Sequence, residues 1–143
     1  MKIVVVDSDS KTINRISRAL RVHICGCRLT ITDSGQQSLD ITKRDCPDLI
    51  VIGAELNDMS GFDLTKQIRC FSEVPIIFLL NEYDEPEVIV KASSMGIDRC
   101  MAKPISQPVF IAYVESLMRR ISSSNQSRFD KCGSRLNRYE AYG

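Results

Sequence analysis

Three charged side chains in this sequence could together bind a metal ion or a phosphate group. Asp7 directly follows a run of apolar residues, and Lys103 stands before Pro104 after another such run. Glu55 lies two residues beyond Gly53, which ends a third apolar segment. Carboxylate oxygens are ligands of hard divalent cations, and a lysine ammonium group pairs with phosphate oxygens. One interpretation is therefore a small-ligand or phosphate-binding protein, or an enzyme, that uses Asp7, Lys103 and Glu55.

The segments between these residues alternate in pattern. Short apolar runs, typical of strands buried on both faces, alternate with longer amphipathic stretches that have helical periodicity. This alternation predicts an α/β protein with a doubly wound, five-stranded parallel sheet and helices on both faces. The predicted strands are 3–6, 29–31, 49–53, 76–80 and 98–102. The predicted helices are about 10–23, one capped by Ser34, 61–71, 84–95 and 107–121.

Ligands of such folds bind at the carboxyl ends of the strands, near the point where the strand order reverses. Four parts of the chain are predicted to meet there, namely residues 7–9, Gly53, residues 80–81 and residues 103–104. We therefore expect any chemistry at this edge of the sheet. We also expect Lys103 to pair with Asp7 and to hold one conformation.

Composition excludes several classes of function. The net charge of +1 gives no electrostatic reason for nucleic acid or an anionic membrane as the main partner. No apolar run approaches the roughly 20 residues of a membrane helix, and the first apolar run is too short for a signal peptide. Cys25 and Cys27 are the only close pair among six cysteines, and His23 is the only histidine. We expect a cytoplasmic protein with reduced thiols and with no metal or cofactor.

The composition changes after residue 121. Residues 1–121 are predicted to form the domain, and residues 122–143 a polar, basic tail that opens with a linker-like segment. A short amphipathic helix at 127–140 would place Phe129, Cys132, Leu136 and Tyr139 on one stripe. Such a helix would fold when docked; the alternative is a disordered remnant of a lost output domain. Direct nucleic-acid binding by this tail is a weak alternative.

Three motifs together resemble the receiver domain of two-component response regulators. They are the opening Lys-Ile-Val-Val-Val-Asp at 2–7, the Pro-Asp-Leu-Ile block that runs from Pro47 to Phe62, and Lys103-Pro104. Two further phrases, at 75–79 and 114–120, are similar to the winged-helix transcription-factor subfamily. The resemblance covers residues 1–121 and implies a flavodoxin-like receiver fold in a signalling protein.

The resemblance also implies which residues would carry phosphorylation. The aspartate that accepts the phosphoryl group in this family corresponds to Gly53, which has no side chain. Two acidic residues that hold Mg²⁺ with the acceptor correspond to Asp7 and Ser8, and a backbone carbonyl that helps hold the metal belongs to Glu55. Asp9 is expected to face away, into the first helix. One carboxylate thus remains where three are expected, and no physiological metal is predicted.

The residues that transmit the family's switch have changed as well. Leu80 corresponds to the serine or threonine whose hydroxyl bonds the phosphoryl group, and a leucine side chain donates no hydrogen bond. Cys100 corresponds to the aromatic residue of the switch. We expect its side chain to pack in the core, and the alternative is a reactive thiol that works as a sensor. Only Lys103 is retained. The interpretation is an atypical receiver whose phosphoacceptor pocket is degenerate and which works without phosphorylation.

Protein partners are the expected ligands of such a module. The resemblance implies a contact face made by the fourth helix, the fifth strand and the fifth helix, through which winged-helix receivers form two-fold dimers. Val109 stands where an acidic residue is usual, which favours a more apolar contact. We expect self-association, binding of another signalling protein, or both. The predicted face residues are Lys91, Asp98, Arg99, Tyr113, Glu115 and Arg119.

Overall fold

A computed structural model describes residues 1–81 and 86–123 of the chain. Strands and helices alternate strictly along it. The strands are β1 (Lys2–Val6), β2 (Arg28–Thr32), β3 (Leu49–Gly53), β4 (Ile76–Leu80) and β5 (Arg99–Ala102). The helices are α1 (Ser10–His23), α2 (Gly35–Asp45), α3 (Gly61–Arg69), α4 (Pro86–Ser94) and α5 (Gln107–Ser123).

All five strands are parallel and form one sheet in the order β2-β1-β3-β4-β5. The predicted doubly wound α/β sheet is confirmed. The chain first runs from β1 outward to β2 and then crosses to β3 on the other side of β1, so the strand order reverses between β1 and β3. Val6 lies opposite Ile52 in the register. The next residues along the two segments, Asp7 and Gly53, are consequently neighbours at the switch point.

Each face of the sheet carries its own apolar core, because successive side chains of a strand point to opposite faces. Val5, Val51 and Ile77 pack against α1 and α5 on one face. Ile52 and Phe78 pack with residues of α2 and α3 on the other face. Every residue of β3 and β4 is buried, as their uninterrupted apolar sequences predict.

The predicted boundaries need small corrections. Ser34 caps α2 as predicted, because its hydroxyl oxygen accepts a hydrogen bond from Gln37 N. β5 begins at Arg99 rather than at residue 98, and α5 continues to Ser123, two residues beyond the predicted end. The serines at 122 and 123 therefore prolong the helix instead of opening a linker. The predicted tail helix at 127–140 and the predicted start of the fourth helix at 84 lie outside the described residues.

Within the described ranges, no helix is both long enough and apolar enough to cross a membrane.

Candidate functional site

The predicted site centres on the contact between Asp7 and Gly53. A Cβ atom built on Gly53 would lie 2.5 Å from the Asp7 carboxyl carbon and 2.7 Å from each carboxylate oxygen. Real Cβ atoms do not approach other atoms so closely, which means that the Asp7 carboxylate lies directly on the glycine. Asp7 is only 1% exposed. The space beside Gly53 is therefore filled by the side chain of Asp7.

Lys103 supplies the positive charge for this buried carboxylate. Its Nζ lies 3.0 Å from Asp7 Oδ2 and donates a hydrogen bond to Oδ1 at 3.2 Å. The side chain of Lys103 is 18% exposed, so bulk water screens the pair only partly. The backbone N of Lys103 donates to Leu80 O at the end of β4, which fixes where the lysine leaves the sheet. The expected pairing of Lys103 with Asp7 is present.

Ser8 and Glu55 are hydrogen-bonded to each other. The Ser8 hydroxyl donates to the backbone carbonyl oxygen of Glu55 at 2.9 Å. The side chain of Glu55 is exposed, and its backbone forms an isolated antiparallel bridge with Ser60. This hydrogen bond ties the segment after β1 to the loop after β3. The resemblance implies that the Glu55 carbonyl oxygen helps to hold a metal. In the structure this oxygen already accepts a hydrogen bond from Ser8.

Asp9 does not simply face away from the site. It caps α1 by accepting hydrogen bonds from Lys11 N at 3.1 Å and from the Thr12 hydroxyl at 2.8 Å. Its Oδ2 also lies 3.8 Å from the Nζ of Lys103. The Thr12 hydroxyl and, more weakly, the Lys103 charge hold the pKa of Asp9 below its usual value. Asp9 thus bonds into the first helix turn, as expected, but its carboxylate also reaches the lysine of the site.

The two predicted switch positions are apolar in character. Leu80 is 3% exposed and belongs to the core on the α3 side of the sheet. Cys100 packs against the same core and lies opposite Phe78 in the strand register. Burial raises the pKa of the Cys100 thiol, which disfavours the reactive thiolate form. This favours a packing role for Cys100 over a thiol sensor.

A contact that the sequence did not predict holds the loop after β3 in place. Asp58 accepts hydrogen bonds from Gly35 N, Gln36 N and the Ser34 hydroxyl, at 2.7, 3.1 and 3.0 Å. The backbone N–H groups of Gln36 and Gly35 keep the pKa of the Asp58 carboxyl below its usual value. The loop is thereby fastened to the start of α2. The only sequence signal was an acidic residue in a polar loop, which is common.

Asp98, predicted for the interaction face, is bonded within its own chain. Its carboxylate accepts hydrogen bonds from Ile76 N at 2.8 Å, from Arg69 at 3.4 Å and from Arg120 at 3.3 Å. Arg69 also donates twice to Gly96 O. These bonds join α3, the starts of β4 and β5, and α5. A partner's arginine would have to compete with these donors.

The other predicted face residues flank the edge strand β5. Two are cations over aromatic rings: the Lys91 ammonium lies 4.6 Å from the ring centre of Phe62, and the Arg99 guanidinium lies 5.7 Å from that of Tyr113. Glu115 and Arg119 on α5 are exposed.

Across residues 1–81 and 86–123, no three His, Cys, Asp or Glu side chains cluster closely enough to hold a metal ion.

Flavodoxins and receivers share this strand order, so the sheet alone does not identify the family. The response regulator receiver domain family matches residues 3–115. The chain belongs to that family. Receiver domains of response regulators act in two-component signalling, and the recognition made from the three sequence motifs is confirmed.

Two relatives of this receiver are regulators of transcription. The cell cycle transcriptional regulator CtrA of Caulobacter vibrioides is 30% identical over 127 residues, which cover 89% of this chain and 54% of CtrA. The DNA-binding response regulator MtrA of Mycobacterium leprae is 29% identical over 119 residues, which cover 83% of this chain and 52% of MtrA. The chain thus spans about half the length of the curated relatives it matches.

Solved structures agree with the receiver fold. The receiver domain of the Francisella response regulator 1452 is 27% identical, with a TM-score of 0.76 over 83% of this chain and 97% of that one. A two-component response regulator from Clostridium difficile has a TM-score of 0.77 at 24% identity, over 85% of this chain and 98% of that one.

Proposed function

We propose that this receiver is an atypical pseudo-receiver that signals by protein–protein interaction without aspartyl phosphorylation. The observation that carries the proposal is the Asp7 carboxylate lying on Gly53 and paired with Lys103. Glycine offers no nucleophile at the position of the acceptor. The cation that would pair with a phosphoryl group already neutralises a buried carboxylate. The site is therefore closed by its own side chains.

The donor set at this site does not suit Mg²⁺. The cation prefers several oxygen ligands in octahedral geometry, supplied by carboxylates and water. Here the Ser8 hydroxyl donates its proton to the carbonyl of Glu55, and Asp7 is engaged by Lys103. A phosphoryl group would bring up to two negative charges next to Asp7 without a metal to offset them. We therefore propose that the protein has no metal cofactor and no enzymatic activity.

The rival function, a phosphate-binding protein or enzyme using Asp7 and Lys103, has less support. A ligand at Gly53 would have to displace the Asp7 carboxylate and break its ion pair. Regulation of DNA-binding partners through the basic tail is a second alternative, motivated by the transcriptional relatives.

Treatment with phosphoryl donors tests the proposal directly. We expect incubation with acetyl phosphate and Mg²⁺ to add no mass, because no acceptor is present. We also expect beryllofluoride with Mg²⁺ to leave the amide NMR signals of residues 7–9 and 53–55 unchanged. A receiver with an intact acceptor aspartate, treated in the same way, is the positive control. A phosphoryl adduct, or saturable shifts around Gly53, would contradict the proposal.

The proposed contact face lies beside edge strand β5. α4 exposes Ile89 and Val90, at 45% and 68%, and α5 exposes Val109, at 42%. Large apolar side chains grouped on a surface favour protein contacts. The charged residues Glu115 and Arg119 add polar partners on α5. We propose that protein partners, a second copy of the chain among them, bind here.

Replacing Val90 with aspartate should weaken self-association through this face. An unpaired charge in an apolar contact is expected to weaken the dimer at least tenfold, since burying it costs more than about 1.4 kcal/mol. Val22→Asp on α1 is the matched control, because Val22 is exposed to the same extent, at 70% against 68% for Val90. Sedimentation over a range of concentrations measures the effect. Equal weakening by both variants would argue against this face.

A further inference from the structure

A groove of about 530 Å³ lies between α1 and the start of α5, and nothing in the proposed function uses it. Arg15 and Arg18 on α1 face residues 105–108 across it. The lining contains two guanidinium groups and several neutral polar side chains, but no carboxylate. Arginine side chains bind phosphate and carboxylate groups through two parallel hydrogen bonds. The groove is therefore suited to an anion.

The two walls of the groove are tied together through Arg15. One guanidinium nitrogen of Arg15 donates to Ile105 O at 3.0 Å, and Gln107 Nε2 donates to Arg15 O at 3.3 Å. These bonds hold the guanidinium in place before a ligand arrives, which lowers the entropy cost of binding. Arg18 follows three residues later and is exposed on the same side of α1.

Positive charge is concentrated on this helix. α1 contains Lys11, Arg15, Arg18 and Arg21 and no acidic residue, although the whole chain has a net charge of only +1. Neither Arg15 nor Arg18 forms an ion pair with any acidic residue in the described part of the chain. The N-terminal end of a helix carries a partial positive charge, and α5 begins at this groove. The first turn of α5 contains no acidic residue that would offset this charge.

A second hollow of about 310 Å³ continues the groove along α1. It shares Arg15 and Ile105 with the first hollow and is lined further by Asp9, Lys11, Thr12, Lys103 and Pro104. The side chain of Asp9 is 43% exposed, so its carboxylate can accept hydrogen bonds from a ligand. A molecule that fills both hollows would place anionic groups against the guanidinium groups and hydroxyl or amino donors beside Asp9. Both volumes are in the range of about 300–1,000 Å³ that is typical of small-molecule sites.

We propose that this groove binds a nucleotide, with its phosphate groups on Arg15 and Arg18 and its sugar or base toward Asp9. The second hollow adjoins the Gly53 site through Lys103, which also pairs with Asp7, whereas Arg18 lines only the first hollow.

Titration of the ¹⁵N-labelled full chain with ADP, inorganic pyrophosphate and adenosine at constant ionic strength tests the proposal. ADP is expected to give saturable amide shifts at residues 14–18 and 105–110, and further shifts at residues 9–12. Pyrophosphate should shift only the first set, and adenosine should bind much more weakly than ADP. Raising the salt concentration should weaken ADP binding, because the contacts are between exposed charges.

Arg18→Gln is expected to weaken ADP binding about tenfold, because it removes a charge-assisted hydrogen bond to phosphate. Arg21→Gln is the matched control, since it removes the same charge from the same helix but outside both hollows, and it should bind ADP as the native chain does. Equal weakening by the two variants would mean general attraction to a basic helix and would overturn the proposal. The proposal would also be overturned if pyrophosphate or adenosine bound as tightly as ADP. It would be overturned as well if the amide shifts caused by ADP did not saturate.

Discussion

Replacing Lys103 with methionine is expected to lower the free energy of unfolding by about 2–3 kcal/mol, because it leaves the buried Asp7 carboxylate without its cation. Asp7 is 1% exposed, so water cannot replace the lost partner without opening the site. The expected loss is below the roughly 3–5 kcal/mol of a fully buried pair, because the side chain of Lys103 is 18% exposed. Urea denaturation of the variant and the native chain measures the difference.

Lys66→Met is the control for this substitution. Lys66 is an exposed residue of α3 whose side chain makes no ion pair with a described residue, so the change should stay within about 0.5 kcal/mol. Combining Lys103→Met with Asp7→Asn should cost less than the sum of the single changes, since the charge and its partner are then removed together. Equal stability of the Lys103 and Lys66 variants would show that the ion pair does not hold the site closed.

Gly53→Asp is expected to remain unlabelled by acetyl phosphate, although it restores the family's acceptor side chain. The new Cβ would lie 2.5 Å from the Asp7 carboxyl carbon, so Asp7 must move and part of its pairing with Lys103 must be lost. We expect this crowding to lower the free energy of unfolding by about 1–3 kcal/mol. Ser8 still supplies no carboxylate for Mg²⁺, and Leu80 supplies no hydroxyl. Intact-protein mass after treatment with Mg²⁺ and acetyl phosphate gives the result.

Two further variants separate the causes. Gly53→Ala adds the Cβ without a charge and should reproduce most of the loss of stability. Adding Ser8→Asp to Gly53→Asp restores the second acidic residue and breaks the bond to the carbonyl of Glu55, so this double variant should be the first to bind beryllofluoride with Mg²⁺. Rapid, Mg²⁺-dependent labelling of Gly53→Asp alone would mean that the remaining residues of the pocket are still functional.

Several elements were predictable from local sequence because their signals are local. The apolar runs at 49–53 and 76–80 predicted β3 and β4 without error, since strands buried on both faces contain almost no polar residues. Ser34 identified the start of α2 through its capping chemistry. Helix ends were less accurate, as with α5, because polar serines can prolong a helix as readily as they open a linker.

The sequence predicted which residues meet at this edge of the sheet and that Lys103 pairs with Asp7, but it did not predict the other contacts there. Parallel strands in this order bring Asp7, Gly53 and Lys103 to one edge, whatever the side chains do. The lysine contact of Asp9 and the three donors on Asp98 depend on loop paths and side-chain rotamers that no sequence pattern encodes. The Arg15–Arg18 groove was not predicted at all, because its second wall comes from residues about 90 positions away.

The sequence by itself determined that a glycine ends the third apolar strand, because residue identity and strand periodicity can be read along the chain. The resemblance to receivers implies that this glycine stands at the acceptor position. Only the tertiary structure decided what stands beside that glycine. Asp7 and Lys103 are 96 residues apart, and their contact exists because β1, β3 and β5 end at one edge of the sheet. A missing side chain leaves space, and packing of distant segments determines whether water, a ligand or a neighbouring carboxylate fills it. Here the carboxylate of Asp7 fills it.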